Sequence, residues 1–110
     1  MEHPMKNIVI SIFIILFIAG CDSSEDKIYN SFKCSKAATL LEEHTKAKMA
    51  LHKAEPYFKD VHSNEALFAM QLNQRFQDEF ELYKYNSSGQ IEIISELYNS
   101  SECKRMYESS

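Results

Sequence analysis

The chain has 110 residues, with 12 Lys plus Arg against 16 Asp plus Glu and a formal charge of −4. That length holds one small domain and argues against a two-domain enzyme or a multi-span transporter. Mild acidity without a basic cluster argues against nucleic-acid binding, which needs Lys and Arg on phosphates, and two Gly, two Pro and no Trp leave little for hairpin-rich β folds or phosphate loops.

The first element is Met5-Lys6-Asn7, then an apolar run from Ile8 to Phe17, then Ile18-Ala19-Gly20-Cys21. A short positive region, an apolar region and small residues follow one another in the order of an export signal. As a helix, Ile8 to Gly20 reaches roughly 20 Å, short of the ~30 Å hydrocarbon core, so a permanent transmembrane span is the weaker reading. Met1-Glu2-His3-Pro4 puts an acid and a proline where positive charge is expected; a start at Met5 gives a cleaner signal.

Ile18-Ala19-Gly20-Cys21 resembles the lipobox of bacterial lipoproteins: an aliphatic residue, two small residues, then Cys. The resemblance covers residues 5–21. It implies cleavage between Gly20 and Cys21, diacylglycerol on the Cys21 thiol, and an N-acyl chain of the palmitate type on the new terminus. Residues 1–20 are then a signal peptide. Each buried CH₂ contributes ~0.8 kcal/mol, so two or three chains on one residue anchor lastingly. Asp22 resembles the residue that retains such proteins in the inner membrane, which places the domain on that membrane's periplasmic face. No other cofactor is implied.

Residues 21–27 read as the lipidated Cys and a polar tether, and residues 28–110 as a helical domain. Ser23-Ser24-Glu25-Asp26 also carries helix-start chemistry. Ala37, Leu40, His44, Ala47, Leu51, Ala54 and Phe58 then recur at three- and four-residue steps, predicting one helical stripe that ends or kinks at Pro56. Ser63 reads as the next N-cap, before a second stripe of Ala69, Leu72, Phe76, Phe80 and Tyr83. Asn86-Ser87-Ser88-Gly89 reads as the clearest break, with Gly89 free to take positive φ. Gln90 to Tyr107 predicts a third helix, with a strand over Ile91–Ile94 as the lesser alternative. The expected fold is all-α: an antiparallel bundle of about three helices on a lipid-anchored tether.

With Cys21 lipidated, Cys34 and Cys103 remain as a pair in an oxidising compartment, and cysteine arithmetic joins them. In an equal-length up-down-up bundle they would lie at opposite ends. The bond therefore requires either a fold-back after Pro56 or a long first helix.

Chemistry-bearing residues form no recognisable centre. His44 and His52 are eight residues apart, too far for one metal ion on one helix, and His44 on the apolar stripe reads as a packed residue. The serines lack a glycine elbow, and Asp78, Glu79 and Glu81 read as a solvated face. Asn86-Ser87-Ser88 and Asn99-Ser100-Ser101 match a glycosylation pattern that is idle in a bacterium. Neither metal nor catalytic residues are assigned. The aromatics exceed what a three-helix core must hide, and Tyr57, Tyr85 and Tyr107 are candidates for an interface. The leading expectation is a non-enzymatic interaction module acting on an envelope protein, similar in size, address and cysteine count to the small lipoproteins that mobile elements use for exclusion or immunity. The alternative is a periplasmic lipoprotein that binds a lipid or small molecule.

Overall fold

The computed structural model describes residues 23–108. The leader, Gly20, Cys21 and Asp22 lie outside the described residues. Five α-helices follow one another there: α1 (Ser24–Leu40), α2 (His44–His52), α3 (Glu65–Phe80), α4 (Ser87–Tyr98) and α5 (Ser101–Met106). Two 3₁₀ segments, Glu55–Asp60 and Leu82–Lys84, join α2 to α3 and α3 to α4. The all-α class holds, but the three-helix count does not.

The Ser23 hydroxyl caps α1 by accepting from the Asp26 N–H at 3.1 Å. The helix thus starts inside the stretch read as tether, and in sequence only Asp22 separates Cys21 from the cap. The expected long stripe breaks at Glu42, which sits at φ 63°. The Glu43 N–H donates to the Ala38 carbonyl at 2.8 Å and the Glu42 N–H to the Thr39 carbonyl at 3.0 Å. This is a Schellman stop, with glutamate where glycine usually sits. Nothing in Thr39-Leu40-Leu41-Glu42-Glu43 advertises it.

Beyond the turn α2 folds back along α1. Ala37, Ala38, Ala47 and Ala50 are all buried in the main core; their small side chains let the two backbones approach closely. The Ser35 hydroxyl donates to the Ala47 carbonyl at 2.8 Å across the same contact. The break divides the predicted stripe: its alanines are buried, whereas Leu40, Leu51 and Phe58 are about half exposed and His44 is exposed, not packed.

Pro56 sits near the start of the first 3₁₀ segment, where its missing N–H costs nothing. Asn64, one residue after the expected Ser63, caps α3 by accepting from the Ala66 and Leu67 N–H groups. Phe76 is fully buried; its ring meets Phe80 at 4.7 Å and Phe32 edge-on at 6.3 Å. α3 ends at Glu81, again left-handed at φ 47°. Gly89 carries no positive φ. It lies in the first turn of α4, where an added Cβ would come within 3.1 Å of the Tyr85 Cβ, so compactness, not a left-handed turn, accounts for glycine there. Asn86 caps this helix, accepting from the Gly89 N–H at 2.9 Å. The segment Ile91–Ile94 is helical, and the expected third helix breaks at Asn99-Ser100.

That last break answers the disulfide question. Ser100 caps α5, a separate short helix that brings Cys103 to the middle of α1. There Cys34 and Cys103 are paired, with Cα atoms 5.2 Å apart and a sequence separation of 69. Among the described helices α1 is the longest, and the four others pack on it.

Candidate interaction surfaces

Two open clefts flank opposite ends of α1. Ile28 lies at the floor of one and Leu40 at the rim of the other; at 1.5 Å per residue they stand about 18 Å apart along the axis. Because Cys21 precedes α1, the Ile28 cleft is proximal to it and the Leu40 cleft distal.

The distal cleft, of about 590 Å³, lies between the end of α1, the second 3₁₀ segment and the start of α4. Its apolar rim is Leu40, Tyr83 and Ile91, exposed to 52, 70 and 59%. The left-handed Glu81 reverses the chain into this rim. The Gln90 amide clamps the reversal by donating to the Leu82 carbonyl at 2.8 Å and the Tyr85 carbonyl at 3.1 Å. Lys36 supplies a cation at the cleft. It donates to the Asn73 side chain at 2.9 Å and lies 4.8 Å from the Phe76 ring centre. Burial holds its ammonium below the usual lysine range.

The proximal cleft, of about 400 Å³, is lined by Ile28, Leu51, Phe58, Val61, Phe68 and Leu72 among others, with Ser63 and Glu65 as its polar members. Contacts from the first turns of α1 hold its walls. The Ser24 hydroxyl donates to Asp60 at 2.7 Å, and Asp26 pairs with Arg75 at 2.9 Å. That guanidinium holds the Asp26 carboxyl below its ordinary pKa. A further cleft of about 320 Å³ gathers Lys27, Lys53 and Arg105 around Tyr57, which packs against Ile28 and Phe68 of the proximal cleft.

The three candidate tyrosines separate. Tyr85 is 48% exposed next to the distal cleft. Tyr57 is half-buried in the cationic cleft, its ring under the Lys27 ammonium at 5.0 Å. Tyr107 is no surface residue: it is 8% exposed and its hydroxyl donates to the Cys34 carbonyl at 2.9 Å. The break before α5 turns it inward, which no single-helix reading of Gln90 to Tyr107 could show. Leu40 and Tyr83 belong to the predicted apolar stripes and Ile91 to the predicted third helix, so the sequence reading misses the distal rim. The adjacent pair Leu40-Leu41 was the available signal, since a helix cannot bury both neighbours equally at one face.

The carboxylates belong to structure. Glu79 accepts from the Tyr29 hydroxyl at 2.5 Å and pairs with Lys33 at 3.8 Å, and Lys33 also meets Glu102 at 3.4 Å. This chain ties α1 to α3 and α5. Among the described residues no three His, Cys, Asp or Glu side chains come together as a metal-binding group, and no helix is long and apolar enough to cross a membrane. No protein-family model, curated protein or solved structure matches the chain.

Proposed function

We propose that this protein is a lipid-anchored, non-enzymatic interaction module on the periplasmic face of the inner membrane, of the exclusion or immunity kind. The lipobox-like Ile18-Ala19-Gly20-Cys21 supports the address, with Asp22 as the retention residue. The observation that carries the reading is the distal cleft: Leu40, Tyr83 and Ile91 stand exposed at the end of α1 farthest from Cys21. An anchored domain presents that end outward, and apolar side chains there gain only when a partner covers them. The anchor confines the module to two dimensions and raises its effective concentration beside a membrane partner. Both clefts open to solvent, which favours a docked protein over the enclosed site a ligand carrier needs.

The test is photocrosslinking in native membranes from position 83, compared with position 104 on α5. A discrete adduct from position 83, lost in Cys21→Ala, supports the proposal. Equal adducts from both positions, or an unchanged adduct without the anchor, contradict it.

A further inference from the structure

Resting on the lipid-anchor reading, we infer that the proximal end of the molecule is a bilayer-docking face: Phe58 and Leu51 enter the membrane interface while Lys27, Lys53 and Arg105 receive lipid phosphates. The length of chain outside the described residues gives the first argument. Cys21 is two residues from the Ser23 cap, and an extended chain covers at most ~3.6 Å per residue, so the acylated residue lies within about 7 Å of α1. A bilayer holding those acyl chains is brought against whatever surrounds the first turn of α1. What surrounds it is defined by contact: Asp60 through Ser24, Tyr57 through Lys27, and Arg75 through Asp26.

The chemistry of that end gives the second argument. The proximal cleft is apolar, and Leu51 and Phe58 at its edge are 46 and 44% exposed. In the adjoining cleft Lys27, Lys53 and Arg105 face a single acid, Glu102, which is already engaged by Lys33. Three cations therefore share one carboxylate that is already engaged, in a chain whose overall charge is negative. Tyr57, between the two clefts, has the amphipathic ring that settles at membrane interfaces. An apolar prong beside a cationic cleft, next to the anchor, complements the acyl boundary and the phosphate layer together.

The chain has no tryptophan, so each introduced Trp is the sole indole reporter. Full-length protein is purified from membranes, its Cys21 acylation checked by mass, and Phe58→Trp, Leu51→Trp and Tyr83→Trp are reconstituted in phospholipid vesicles with and without brominated acyl chains. Both sites of substitution at the proximal end are half-exposed, and helix content by circular dichroism confirms folding. The expected result is blue-shifted emission from Phe58→Trp and Leu51→Trp, quenched at least about twofold more than Tyr83→Trp, whose indole stays in water. Acylated protein in which all three indoles are quenched alike, or none is, overturns the docking face and leaves the anchor standing. Protein that carries no acyl chain overturns the anchor reading and this inference with it.

Discussion

The Tyr107 hydroxyl and the Cys34 carbonyl meet at 2.9 Å across 73 residues of sequence. With the neighbouring Cys34–Cys103 pair, this contact fixes α5 against the middle of α1 from two sides. Tyr107→Phe removes the donor but keeps the ring packed on Tyr98 at 5.0 Å. The expected loss is about 1 kcal/mol, the usual net worth of one buried hydrogen bond, read as a lower urea midpoint at unchanged slope.

The same residue sets an alkaline limit. Burial pushes the Tyr107 phenol up to about 12 from its ordinary 10.0, and burial together with the Glu79 carboxylate raises Tyr29 as well. Folded-state values above the unfolded value mean the neutral phenols stabilise the fold fully below pH about 10, and this contribution fades as pH rises through the folded pKa. Urea midpoints should therefore fall between pH about 10 and 12, and fall less steeply in Tyr107→Phe.

Reduction should be costly. Closing a loop of 69 residues contributes about 4 kcal/mol in the chain-entropy model, a large part of the stability of any small domain. Cys34→Ser with Cys103→Ser, or treatment with a phosphine reductant, should lower the urea midpoint far more than any surface substitution does.

Glutamate at φ 63°, in the position just after the Leu41 C-cap, is uncomfortable. Glu42→Gly keeps the backbone bonds of the turn and removes the Cβ conflict, so it should stabilise by about 0.5–1 kcal/mol. Glu81→Gly should gain less. Glu81 pairs with Lys84 at 2.6 Å, and the glycine would forfeit that contact. Thermal melts of the two variants side by side check the order.

Much of this fold was legible along the chain, for local reasons. Ser23, Asn86 and Pro56 sit where their side chains or missing N–H groups serve a helix end, and Cys34 and Cys103 follow from counting thiols. The hidden part is the pair of left-handed glutamates. Glu42 and Glu81 are ordinary helix formers in ordinary surroundings, and what places Glu42 at positive φ is tertiary: the alanine face of α2 must meet Ala37 and Ala38. Because the stripe breaks there, Leu40 and Phe58 come to the surface and the clefts appear. Hydrophobic periodicity reports which residues share a face, but not whether that face stays continuous. Tyr107 shows the converse, a residue read as exposed that one serine cap at Ser100 turns into core.

The distal rim should be separable from the fold. Ile91→Asp with Tyr83→Ala alters two exposed side chains, so the melting temperature should move by no more than a surface change does, within about 0.5 kcal/mol. Crosslinking from a reporter at Leu82 should fall at least about tenfold, corresponding to the ~1.4 kcal/mol or more that two apolar contacts contribute.

The most direct measurement is the mass of the protein extracted from its native membrane. The account predicts a chain beginning at Cys21 and carrying diacylglycerol with an N-acyl chain on that residue, with Cys34 and Cys103 oxidised together. A chain that retains residues before Cys21 and bears no acyl group contradicts it.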